Sequence, residues 1–136
     1  MKRASIVLLF LLAACGSNRA TPTVTCGATQ LKPSYVPSGL HRTTKAALVP
    51  SRWNSTWTGG GRTVQVDGGV NADLGDGPDI KSAVVRGHTA QYGPTGNPDG
   101  PLAVEWSEGK RCPASYAVIV NGITATEMLR IANSLR

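Results

Sequence analysis

The side chains best suited to chemistry in this 136-residue sequence are His41 and His88, Cys15, Cys26 and Cys112, and eight acids, half of which lie between Asp67 and Asp79. His88 falls in the clearest pattern. Ala83 to Tyr92 reads as one long strand with Val84, Arg86, His88, Ala90 and Tyr92 on one face, so Arg86, His88 and Tyr92 become neighbours and candidate ligand contacts. A neutral imidazole can serve as a general base. Acyl or peptide hydrolysis also needs an activated nucleophile, and neither Gly-x-Ser-x-Gly nor His-Glu-x-x-His occurs. No catalytic residue is assigned, and a hydrolase using His88 with an unidentified Ser or Asp is the enzymatic alternative. A zinc site from Cys26, Cys112, His41 and His88 would lack the short paired ligand spacing of structural zinc modules. Asp67 to Asp79 approximates a calcium nonapeptide only once, with Asn71 where a glycine belongs, whereas such repeats bind between stacked copies. It reads as a turn-rich, solvated loop, and no metal and no cofactor are assigned. Trp53 and Trp57 are four apart and share a face in either a helix or a strand. They are expected under the sheet, with an exposed aromatic platform for a sugar or aromatic ligand as the functional alternative.

These groups must be placed in a compartment before their chemistry means anything. Met1-Lys2-Arg3 is a charged start, Ile6 to Leu12 an apolar run, and Leu12-Ala13-Ala14-Cys15 sets small residues before a cysteine. This resembles the lipobox of bacterial lipoprotein signal peptides, which implies diacylglyceryl transfer to the Cys15 thiol and cleavage just before it. The apolar run is too short to span a ~30 Å hydrocarbon core. Residues 1–14 are therefore expected to be the signal peptide, 15–25 the lipidated cysteine and a polar tether, and 26–136 one small domain. Cleavage removes Lys2 and Arg3, and the formal charge falls from +6 to +4. The implied address is a cell membrane, lipid-anchored on the extracytoplasmic side. In that oxidising setting Cys26 and Cys112 are most simply a disulfide. Its long loop would contribute at most about 4.6 kcal/mol by the chain-entropy model.

The elements that hold the candidate residues are clearest at the C-terminal end. Leu102, Val104 and Trp106 alternate with Ala103, Glu105 and Ser107, a half-buried strand. Ser107-Glu108-Gly109-Lys110 can reverse the chain. Tyr116 to Val120 is apolar on both faces, as in a central strand, with clean pairing expected from about Tyr116. Thr124-Ala125-Thr126-Glu127 has the capping-box pattern, and Met128, Ile131, Ala132 and Leu135 form one apolar stripe. A helix this short is marginal alone and must be held by the sheet. Earlier strands are expected near Leu40 to Thr43 and over Arg62 to Val66, with Gly93 to Pro101 as a connecting loop. Ala46 to Val49 is an apolar run of unassigned type. The fold class is α+β: a twisted antiparallel sheet with a C-terminal helix packed on one face.

Charge is unevenly distributed along the chain. From Cys15 to Val66 there are six bases (Arg19, Lys32, Arg42, Lys45, Arg52, Arg62) and no acid, while Asp67 to Arg136 carries six bases and all eight acids. Nucleic acid is the generic partner of a basic protein, but the extracytoplasmic address argues against it. Tyr35-Val36-Pro37-Ser38-Gly39, Val85-Arg86-Gly87-His88-Thr89-Ala90, Leu102-x-Val104-x-Trp106 and Glu127 to Leu135 together resemble a family of small α+β domains. Such domains recur at the C-termini of bacterial lipoproteins and of extracytoplasmic regions of anti-sigma-factor regulators. The resemblance implies a fold and carries no catalytic residues. The expected function is a membrane-anchored, non-catalytic binding or sensing module whose partner is an envelope protein or a small molecule. A carrier holding an apolar ligand between helix and sheet is the alternative.

Overall fold

The computed structural model describes residues 27–49, 51–96 and 98–136, over 44–49 the backbone alone. Its seven strands are β1 (His41–Val49), β2 (Arg52–Gly59), β3 (Arg62–Gly68), β4 (Lys81–Val85), β5 (His88–Pro94), β6 (Leu102–Glu108) and β7 (Ala114–Asn121), followed by helix α1 (Ala125–Asn133). All pair antiparallel in one open sheet of order β1-β2-β3-β7-β6-β5-β4. Two meanders, β1 to β3 and β4 to β7, are thus joined where β3 lies beside β7. The expected α+β fold with a C-terminal helix on an antiparallel sheet is what the chain adopts; the helix contacts β4, β6 and β7.

Register sorts the side chains into two faces. Val64, Val66, Val104, Val118 and Val120 are fully or almost fully buried on the helix face, where Met128, Ile131, Ala132 and Leu135 close over them. Burying Met128 and Ile131 is worth about 1.5–3 kcal/mol each, which is how a nine-residue helix is held in place. An aromatic row crosses the same layer. Trp106 stacks on Tyr116 at 5.7 Å between ring centroids, and Trp53 meets Tyr116 tilted at 6.5 Å. Gly68 sits between Trp53 and Tyr116 in register, and a Cβ there would collide with the Trp53 indole, so glycine lets the rings approach. The Trp53 indole N–H donates to the Ala28 carbonyl at 3.1 Å, which satisfies its one polar atom.

The expected single strand from Ala83 to Tyr92 is instead a hairpin. Arg86 and Gly87 have φ of 52° and 81°, the two-residue turn with both central residues left-handed that matches strand twist. Arginine is a poor residue for that conformation, and here its other bonds hold it. Its backbone N–H donates to Asn133 Oδ1 at 2.9 Å, its Nε donates to Glu108 Oε1 at 2.6 Å, and its Nη1 donates to the Leu135 carbonyl. The reversal puts Val84 on the opposite face, 66 % exposed at the sheet edge.

Smaller departures have local causes. β6 and β7 pair from Glu108 and Ala114 rather than from Tyr116. Ala46 to Val49 continues β1, and β5 runs through Pro94 into the expected loop. Only half of the capping box forms: the Glu127 N–H donates to Thr124 Oγ1 at 3.2 Å, while the Glu127 carboxylate accepts from the Tyr35 hydroxyl at 3.1 Å. Leu129, outside the stripe, is half-buried against the core. The segment before β1 also binds the chain end, with Lys32 and Arg136 exchanging backbone hydrogen bonds of 2.8 and 3.0 Å.

Candidate functional site

The sheet face opposite the helix mixes polar residues with Ala103, Ala117 and Ile119, and the connection from β3 to β4 runs across it. Gly69 N–H donates to the Ser115 carbonyl at 2.8 Å, Ala72 packs with Ala103 and Ala117, and Leu74 bridges to Thr95. Ala103 is fully buried, so the β6 face expected to be solvated is roofed in part by this loop. Beside the roof a groove of about 440 Å³ remains open, lined by Asn71, His88, Thr89, Gln91, Glu105, Trp106, Ser107 and Ser115. That is within the ~300–1,000 Å³ typical of small-molecule clefts.

The strands set the lining. Gln91 pairs in register with Glu105, Glu105 with Ala117, and Ser107 with Ser115, so every second residue of β5, β6 and β7 points to this face. Burial pushes the Glu105 carboxyl above its ordinary range; a hydrogen bond from the Ala72 backbone opposes this and the nearby Asp73 charge adds to it. Its Oε2 is buried without a hydrogen-bond partner. Across Ala117 on the same row lies Asp67, also raised by burial although Gln65 Nε2 donates to both its carboxylate oxygens at 3.0 and 2.9 Å.

Of the residues expected to contact ligand, only His88 lines this groove. Tyr92 is half-buried against the core, beside a shallow hollow of about 290 Å³ that it shares with Lys81, Leu102 and Ala125. Arg86 is engaged in the hairpin turn. Trp53 is in the core, as favoured from the sequence, and Trp57 is partly buried with the Arg42 guanidinium 5.7 Å from its ring centroid. Among the described residues His88 has no hydrogen bond to a Ser or Asp, and no cluster of three His, Cys, Asp or Glu side chains gathers as a metal site. A second cleft of about 260 Å³ is lined by the Gly75 to Ile80 stretch with Pro94, Gly96 and Pro98. Between helix and sheet the buried side chains of α1 fill the layer.

Thr89, Gln91, Glu105, Ser107 and Ser115 were not singled out as site residues by sequence reasoning, and Asn71 entered only as the misfit in the calcium-like pattern of its loop. Their signal was the alternation itself, since Glu105, Ser107 and Thr89 occupy the polar positions of their strands and read as ordinary solvent-facing residues. Cys112 is not a free thiol, while Cys15 and Cys26 lie outside the described residues. Among the described residues no helix is long and apolar enough to cross a membrane. The chain matches no protein-family model, no curated protein and no solved structure, so the resemblance to lipoprotein and anti-sigma-factor domains rests on the quoted residues alone.

Proposed function

We propose that this protein is a lipid-anchored extracytoplasmic binding or sensing module. Cys15 would carry the acyl chains and a Cys26–Cys112 disulfide would clamp the start of the domain to the β6–β7 turn. The observation that carries the reading is the open, polar groove on the face away from the helix, framed by rigid strands and a pinned loop. Sites on such elements hold hydrogen-bonding groups at defined spacings, which suits recognition. An apolar carrier would need room between helix and sheet, where Met128, Ile131 and Ala132 are packed without exposure.

The test is purification of a tagged full-length copy from membranes, as wild type and as Ser107→Arg, which fills the groove from an exposed strand position. A bound molecule or protein should co-purify with wild type and be lost from the variant. Identical sets from both would show that the groove is not where the protein binds.

A further inference from the structure

Resting on the reading of the groove as a binding site, we propose that its ligand is a neutral, hydroxyl-rich molecule: a saccharide. Asn71 and Gln91 present carboxamides, and Thr89, Ser107 and Ser115 present hydroxyls. Each of these groups can donate and accept at once. A sugar hydroxyl has the same dual capacity, so a row of them can pair with such a lining without leaving either side unsatisfied.

The competing ligand classes fit less well. Neither lysine nor arginine lines the groove, so beside His88, which can take a proton, a carboxylate or phosphate would find no permanent cation to neutralise it. An apolar ligand would strand the lining's polar atoms, at a cost in affinity for each one left unpaired. A quaternary or primary ammonium is usually held by aromatic faces; the one aromatic residue of the lining, Trp106, has its ring stacked on Tyr116 and its N–H donated to Glu108 at 2.9 Å. The single carboxylate, Glu105, has one buried oxygen without a donor. Once the side chain turns that oxygen toward the groove, a ligand hydroxyl would supply the missing hydrogen bond, and charge-assisted bonds of this kind are the stronger ones. Gln91, beside Glu105 in register, can bridge a neighbouring hydroxyl on the same ring.

The experiment is amide-resolved NMR of the isotope-labelled full chain in an amine-oxide detergent. It would be titrated with neutral mono- and disaccharides of glucose, galactose, mannose and N-acetylglucosamine, and separately with choline and with citrate. The expected result is saccharide-dependent shifts confined to Thr89, Gln91, Glu105, Ser107 and Ser115, with affinity about 3- to 10-fold weaker in Gln91→Ala and Glu105→Gln. Gln91 is exposed, so its variant reports on binding even if Glu105→Gln disturbs the fold. Groove shifts with choline or citrate and none with any saccharide would overturn the hydroxyl-rich ligand while leaving a binding groove. Saccharide shifts elsewhere on the molecule would overturn it as well. No groove shifts with any probe would overturn this proposal, and the co-purification of wild type against Ser107→Arg then decides separately whether the groove binds at all.

Discussion

Glu108 ties three parts of the molecule together through single side chains. Its carboxylate accepts from Arg86 at 2.6 Å and from the Trp106 indole at 2.9 Å, and Arg86 in turn holds the Leu135 carbonyl at the end of the helix. Burial alone would raise its pKa, but the bonds from Arg86 and Trp106 and the charges of Arg86 and His88 outweigh that and lower it. A carboxyl with a depressed folded pKa contributes stability above its unfolded value of about 4.3, and loses it as pH falls through the depressed one. Glu108→Gln should therefore cost about 1.5–3 kcal/mol near neutrality, and the gap to wild type should close in acid. Thermal melts across pH would show this; a gap that is constant with pH would mean the carboxylate charge plays no part. Asp67 has the opposite sign. Its raised folded pKa means stability that is present below an unfolded value near 3.9 and lost as pH rises through the raised one. Asp67→Asn should match or exceed wild type at neutral pH and forfeit that advantage in acid, and the same melts would detect a reversed order.

At the scale of elements, the helix and the β4–β5 hairpin dock on each other. Asn133 Nδ2 donates to the Val84 carbonyl at 3.5 Å, an edge acceptor, while its Oδ1 takes the Arg86 N–H. Ile131→Ala empties a fully buried site and should cost about 2–5 kcal/mol, against about 1 kcal/mol for the cap variant Thr124→Ala. Arg130→Ala removes an exposed guanidinium 3.8 Å from the Tyr35 ring centroid, worth about 0.5–1 kcal/mol. Denaturant melts should rank the three in that order, and Ile131→Ala no worse than Arg130→Ala would contradict the packing. Gly87→Ala should cost about 1–2 kcal/mol because an L-residue there stays left-handed at φ 81°. That turn explains why sequence reasoning missed the hairpin: Arg-Gly is not one of the dipeptides that announce a two-residue reversal, and the alternation of Val84, Arg86 and His88 continues through it. The helix was legible because cap, stripe and terminus all agreed within one short window.

Across the whole molecule, strand order turns an asymmetry of sequence into one of space. The acid-free segment supplies β1, β2 and most of β3, the strands at one end of the sheet, while Asp76, Asp79 and Asp99 sit in the loops that lead to β4 and from β5 to β6. If the basic edge faces anionic lipid, a non-lipidated Cys15→Ser chain lacking residues 1–14 should still bind anionic vesicles weakly. That binding should be lost between about 0.1 M and 1 M salt as the Debye length falls from ~10 to ~3 Å. Binding that ignores salt, or none at low salt, would separate the charge asymmetry from the membrane. The same substitution should release the protein from cell membranes or leave its signal peptide uncleaved; a processed, membrane-bound Cys15→Ser protein would refute lipidation. Mass spectrometry of unreduced protein should find Cys26 joined to Cys112.

What the residues determined by themselves was local or periodic: the α+β class, the central character of β7, the stripe and cap of α1, and the alternation of Leu102, Val104 and Trp106. Each depends on spacings of two to four residues that no distant contact has to supply. Only the tertiary structure decided that β3 pairs with β7, that β4 ends in a turn at Arg86, and that the loop after β3 crosses the face opposite the helix. It alone also gathers Asn71, Thr89, Gln91, Glu105, Ser107 and Ser115 into one groove. Those residues come from a loop and three strands, and a polar side chain on an alternating strand looks the same whether it faces water or a site. The difference is made by the chain that passes over it.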